Sequence, residues 1–125
     1  MDDNGPCPFC ELFAQGIDPE WQWHDTIILT PLDAVVPGHV LVIPRTHVQD
    51  FAEDPVTSAL VMGRAAQLVQ GYARDGADFN IITSIGPAAT QTVNHLHVHI
   101  VPRTLGDGLK LPWTGQIKER EDGSR

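Results

Sequence analysis

Six histidines occur in this chain, at positions 24, 39, 47, 95, 97 and 99. The last three alternate with aliphatic residues as His95-Leu96-His97-Val98-His99-Ile100-Val101. On an extended strand, successive side chains point to opposite faces, so the three imidazoles share one face and Leu96, Val98 and Ile100 share the other. The apolar face belongs on a core, which leaves three titratable rings in a row at a surface or cleft. Such a row can grip one zinc ion. It can equally serve phosphate chemistry, in which a neutral imidazole with a reference pKa of about 6.5 attacks while its neighbours hold the anion. It can also be no more than the polar face of a strand.

Two cysteines stand close together in Cys7-Pro8-Phe9-Cys10. A thioredoxin-type redox motif needs a preceding strand within a βαβ unit, and only six residues precede Cys7 here. A disulfide is the less natural choice for a cytosolic protein. Half of a tetrahedral zinc site suits the spacing, and histidine is the natural complement because the chain has no further cysteine. Inert thiols are the remaining possibility. Between residues 85 and 92, Ile-Gly-Pro-Ala-Ala-Thr-Gln-Thr runs directly into the histidine row. Its small residues let a ligand approach the backbone, and Gln91 with the Thr90 and Thr92 hydroxyls offers hydrogen-bond donors to an anion.

The elements that must position these groups alternate between strand and helix patterns. A helical turn follows the cysteines around Glu11–Gln15. Thr26–Thr30 is β-branched and apolar and stops at Pro31, and His39–Ile43 is a second strand ended by Pro44. Asp54-Pro55 is a helix start, with an acidic N-cap and proline at the first helical position. Val61, Ala65, Leu68 and Tyr72 then form an apolar stripe at helical spacing. Gly63, Ala65 and Ala66 keep that helix slim, Arg74 suits its C-terminal dipole, and Gly76 is its expected stop. Phe79–Ser84 and His95–Val101 read as the third and fourth strands. With a single long helix among strands, the pattern predicts an α+β fold with an antiparallel sheet. One domain is expected over residues 1–117, followed by a frayed tail over 118–125.

Composition bounds the partners. The chain has 125 residues, 42% hydrophobic and 19% charged, which is one globular domain. Its net charge of −8 argues against a basic surface that wraps polymeric nucleic acid or docks on a membrane. The acidic start, Met1-Asp2-Asp3, is unlike a signal peptide, and Val40–Ile43 is too short to span a bilayer. A cytoplasmic protein is expected.

The His95–Val101 segment resembles the signature of the histidine triad (HIT) family of nucleotide hydrolases and transferases. Cys7-Pro8-Phe9-Cys10, Pro37-Gly38-His39-Val40-Leu41-Val42-Ile43-Pro44-Arg45-Thr46-His47 and Asn80 through Arg103 fall in that family's order, so the likeness covers roughly residues 7–104. It implies a compact α+β domain with a largely antiparallel sheet of about five strands, usually paired into a homodimer. It implies attack on the α-phosphate of a small nucleotide, with His97 as nucleophile and a nucleotidyl-histidine intermediate. His99 would donate to phosphate oxygens and His39 would line the same site, while Gln91 and Thr92 match loop positions that contact phosphate or leaving group. Zinc-bearing relatives imply a closed structural site of Cys7, Cys10, His47 and His95.

The chain departs from that pattern at several positions. Pro31 stands where relatives carry the acid that holds the ribose hydroxyls, and Asp33 is the nearby acid. Ser84 stands at a common asparagine and Thr90 at a common glycine. His24 matches no role. Trp113 is expected either to cover a leaving group or base or to pack on a partner subunit. A zinc-dependent hydrolase with His95, His97 and His99 as ligands, and a nucleotide-binding module without turnover, are the two rival functions.

Overall fold

The computed structural model describes residues 7–16, 22–73 and 76–112. In chain order, the described elements are α1 (Pro8–Ala14), β1 (Gln22–Trp23), β2 (Thr26–Leu29), β3 (Val40–Pro44), α2 (Pro55–Ala73), β4 (Asp78–Ile82) and β5 (Val98–Arg103). All neighbouring strands are antiparallel, in the order β1-β2-β3-β5-β4. The expected α+β class and the sheet of about five strands therefore hold. Arg74, Trp113 and the tail over 118–125 lie outside the described residues.

Alternation divides the sheet into two buried faces. Val42, Val98 and Ile100 meet Val61 and Ala65 of α2, together with Val48 and Leu96. Ile27, Leu41 and Ile43 meet Phe9 of α1 on the opposite face. Val42, Ile43, Val61 and Val98 are completely buried, and each such side chain is worth about 1.5–3 kcal/mol of transfer free energy. In register, Leu41 lies opposite His99, so the histidine face is the α1 face. Phe9 of α1 thus lies against His95 and His97 on this face.

Helix α2 starts as its sequence dictates. Asp54 accepts from the Val56 amide at 3.3 Å, satisfying a donor that the first helical turn cannot, and from the Thr57 hydroxyl at 2.7 Å. Short α1 is capped by Cys7, whose Sγ accepts from the Cys10 amide at 3.3 Å. It begins at Pro8, inside the cysteine motif, three residues before the turn expected at Glu11.

Strand boundaries shift from expectation where tertiary contacts compete. The fourth predicted strand begins at Val98, and His95 and His97 precede it. There the Leu96 amide bonds to the Val48 carbonyl at 2.8 Å in place of a ladder partner. Pro102 does not end this strand, since Phe79 and Asp78 still pair with Pro102 and Arg103. Strand β1, absent from the sequence-based expectation, forms a hairpin with β2 (Gln22 opposite Ile27). That hairpin is braced by Arg64 of α2, whose guanidinium holds the Asp25 carboxylate at 3.0–3.1 Å and lies over the Trp23 ring.

Candidate active site and structural zinc site

The structure splits the six histidines into two functional groups plus His24. The first group is His47 and His95 with the two cysteines. The His95 Nδ1 lies 3.3 Å from Cys7 Sγ, 3.6 Å from Cys10 Sγ and 3.1 Å from His47 Nδ1, while Cys10 Sγ lies 3.1 Å from His47 Nδ1. All four ligand atoms fall within 4.8 Å of one another. Donors around a tetrahedral zinc sit about 3.3–3.8 Å apart, given Zn–S of about 2.3 Å and Zn–N of about 2.0 Å.

The chemistry of the donors agrees with this spacing. His95 is fully buried and its Nε2 faces the Pro44 carbonyl at 2.8 Å. A carbonyl only accepts, so Nε2 carries the hydrogen and Nδ1 turns a lone pair toward the cluster. Burial, opposed by that hydrogen bond and assisted by His47 and His97, holds the His95 imidazole neutral, down to about 4. Burial, then the hydrogen bond and charge of Cys7, push the Cys10 thiol up to about 11 in the protein alone. Without a cation Cys10 is therefore a neutral thiol, and the positive charge of a zinc ion is what would hold its sulfur as a thiolate ligand. The set is closed and four-coordinate, and it is a structural zinc site joining α1, the 45–48 segment and the approach to β5.

The second group is His39, His97 and His99, and its hydrogen bonds assign the tautomer of each neutral ring. The His97 Nδ1 donates to the His95 carbonyl at 2.8 Å, which leaves Nε2 as a bare lone pair. The His39 Nδ1 accepts from the Val35 amide at 3.1 Å, so its Nε2 holds the hydrogen and donates to His99 Nδ1 at 3.0 Å. His99 must then carry its own hydrogen on Nε2. A bare nitrogen on His97 thus stands beside an N–H donor on His99, with ring centroids 5.3 Å apart. Burial, then the His97 and His39 charges, push His99 down to about 4, against a smaller opposing effect of Asp33. Burial likewise lowers His39. Both are neutral at pH 7.

Several residues that hold this arrangement were invisible in the sequence. Phe9 packs edge-on against His95 and His97, with centroids 5.7 and 5.3 Å away. Its place between the two cysteines was the one available signal. Thr83 donates to the His97 carbonyl at 2.8 Å, and nothing in its sequence neighbourhood marked it. Asp33 is exposed, near enough to act on His39 and His99. Ser84 is half-buried, and Thr90 and Thr92 are exposed on the adjoining loop. Gly86 and Thr90 both take positive φ, +88° and +70°, around a 3₁₀ turn at Pro87–Ala89. Gln91 is half-buried and turned into that loop, bonding Gly86, Gln49 and Val93. His24 is exposed, and its carbonyl accepts from Arg45.

An antiparallel α+β domain with a zinc-tied triad of alternating histidines defines a class, and the comparisons identify it. The HIT domain family model matches residues 17–105, and the chain belongs to this family. It is 34% identical over 119 residues to an uncharacterised HIT-like protein of Methanocaldococcus jannaschii, spanning 90% of this chain and 89% of the relative. It is 32% identical over 120 residues to the adenylylsulfatase HINT3 of Arabidopsis thaliana, spanning 91% of this chain and 59% of that protein. A zinc-bound histidine triad family protein from Mycobacterium smegmatis superposes with a TM-score of 0.69 at 29% identity, covering 92% of this chain and 97% of that one. The family includes nucleotide hydrolases. No described helix is long and apolar enough to cross a membrane.

Proposed function

We propose that this protein is a nucleotide hydrolase or nucleotidyl transferase acting at the α-phosphate of a nucleoside phosphoramidate, a dinucleoside polyphosphate or a related small nucleotide. The observation that carries this function is the His97 ring, pinned through Nδ1 to the His95 carbonyl with Nε2 bare. In the first step, Nε2 attacks the α-phosphorus, a P–N bond forms, and the leaving group departs with the electron pair of the broken bond. The phosphorylated ring is then a cation, and the His95 carbonyl stabilises its Nδ1–H. The His99 Nε2–H donates to a phosphoryl oxygen, in a tautomer set by His39 and the Val35 amide. Ser84, Thr90 and Thr92 with the loop amides supply further donors, and Asp33 takes the ribose side in place of the acid replaced by Pro31. Water or another acceptor breaks the P–N bond in the second step. Zinc, held by Cys7, Cys10, His47 and His95, supplies structural cross-linking and takes no part in either step.

A metal-dependent hydrolysis through His95, His97 and His99 finds no support in this arrangement. His95 turns its free nitrogen to the cysteines, and the His97 Nδ1 is bonded to a carbonyl. The second reading, nucleotide binding without turnover, is favoured by one observation, the β-branched Thr90 in a left-handed conformation within the phosphate loop. The two are separated by incubating wild type and His97→Ala with adenosine 5′-phosphoramidate, diadenosine polyphosphates and adenylyl sulfate, then quenching and digesting. An adenylylated peptide containing His97, absent from the variant, supports transfer chemistry. Tight AMP binding with no turnover on any of the three sinks it. We also place the protein in the cytoplasm as a homodimer, with the exposed Ile81 of β4, the last strand of the sheet among the described residues, and the exposed Ile85 as the contact. Sedimentation of wild type against Ile81→Lys tests the dimer.

A further inference from the structure

The carboxamide of Gln91 is committed at both ends. Its Oε1 accepts from the Gly86 amide at 2.9 Å, and its Nε2 donates to the Gln49 carbonyl at 2.7 Å and to the Val93 carbonyl at 3.0 Å. The partners dictate this orientation, since an amide N–H only donates and a carbonyl only accepts. The main chain repeats the link, with the Gln91 amide on the Gly86 carbonyl at 3.1 Å. Gly86 is thus tied to Gln91 through both its N–H and its C=O. This closure holds a loop that begins at Gly86, whose φ of +88° suits glycine, and ends at Thr90 in the left-handed conformation, where a β-branched residue has little tendency to stay unaided.

The remaining tie runs to the zinc site. Gln49 lies two residues beyond His47, and between them the Val48 carbonyl accepts from Leu96, next to His95. The 47–49 strap is therefore bonded to the zinc cluster, to the histidine row and to the phosphate loop. A phosphate could meet only the donor end of the Gln91 amide, and both hydrogens there are already given to carbonyls.

We propose that Gln91 is a positioning residue that keys the 85–92 loop to the zinc-bearing 47–49 strap and does not itself contact the nucleotide. Its kinetic consequence rests on the nucleotidyl-transfer function above: the loop amides and hydroxyls, held in place by Gln91, meet the phosphate. Zinc occupancy is then transmitted to the phosphate loop through Gln49.

The test uses the zinc-loaded full chain and two variants. Gln91→Met keeps length and removes all three side-chain hydrogen bonds. Gln91→Glu keeps an acceptor for Gly86 and loses both donors until its carboxyl is protonated. In ligand-free protein, amide hydrogen exchange at Gly86 and Gln91 is expected to accelerate at least tenfold in Gln91→Met, with the core amides of β3 and β5 unchanged. With adenosine 5′-phosphoramidate, kcat is expected to fall tenfold or more, with a smaller change in KM. Gln91→Glu is expected to show accelerated loop exchange at pH 7.5 as well, because an ionised carboxylate cannot donate to the Gln49 and Val93 carbonyls. Stripping zinc from wild type with a chelator is expected to accelerate exchange at Gly86 and Gln91. Unchanged loop exchange in Gln91→Met together with weakened AMP binding would identify a direct ligand and overturn the proposal. Loop exchange indifferent to zinc would overturn the coupling. The exchange results decide the role of Gln91 whether or not wild type forms a His97 adduct, so a failure of the transfer function is read separately.

Discussion

The His97 ring and the main chain of His95 are locked together, with Nδ1 of the first 2.8 Å from the carbonyl oxygen of the second. The same His95 gives its Nδ1 to the zinc cluster and its Nε2–H to Pro44. One residue therefore offers the metal a ligand through its side chain and orients the His97 ring through its backbone. The zinc site and the His97 ring are thus joined through one residue.

Replacing His97 removes the atom proposed to attack. His97→Ala is expected to lower kcat on adenosine 5′-phosphoramidate by about a thousandfold or more, which corresponds to about 4 kcal/mol of barrier. Its thermal midpoint should stay within a few degrees of wild type. Residual activity within tenfold of wild type would remove His97 from the nucleophile's role.

Zinc removal acts on stability through α1. This helix has seven residues and ties to the sheet through the zinc ligands and the Phe9–Leu12–Phe13 contacts. Cys7→Ala should abolish stoichiometric zinc and cost several kcal/mol of unfolding free energy. His97→Ala should leave the zinc content at one per chain. Equal zinc in Cys7→Ala and wild type, by elemental analysis after dialysis, would refute the Cys2His2 assignment.

Acid lability follows from the buried imidazoles. His99, held down to about 4, and the lowered His39 both refuse protons that the unfolded chain accepts near 6.5. The unfolded state binds more protons between these values, so stability is complete above pH 6.5 and falls as pH drops toward 4. His95 adds in the same direction. The lowered carboxylates, Asp25 beside Arg64 and Asp107 beside Arg103, act only below about pH 4. Denaturant titrations at pH 7.5 and 5.5 should show wild type losing stability, and His39→Asn/His99→Asn losing less across the same interval. Equal losses would count against the imidazoles as the source.

Thr90 carries the backbone cost of its loop. A β-branched residue at φ +70° is strained by about 1–2 kcal/mol, and glycine removes that strain at some expense in unfolded-chain entropy. Thr90→Gly is expected to stabilise the protein by about 1 kcal/mol, a rise of a few degrees in thermal midpoint. A lower midpoint would mean that the Thr90 hydroxyl, bonded to the Ala89 carbonyl, outweighs the strain.

Much of this protein was legible one residue at a time. Alternation alone put Leu96, Val98 and Ile100 in the core and the three histidines on the opposite face, because side-chain direction along extended backbone is a local property. Asp54-Pro55 marked the start of α2 for the same reason, since capping involves only neighbours. Cys7 and Cys10 announced half of a metal site by spacing. The rest depended on contacts across 39 to 88 positions of sequence: Arg64 with Asp25, His39 with His99, and Cys7 with His95. Three histidines written as equivalents became a zinc ligand, a bare nitrogen and a donor. A ring's proton sits wherever its partners require it, and only the folded chain supplied Pro44, the His95 carbonyl and His39 as those partners.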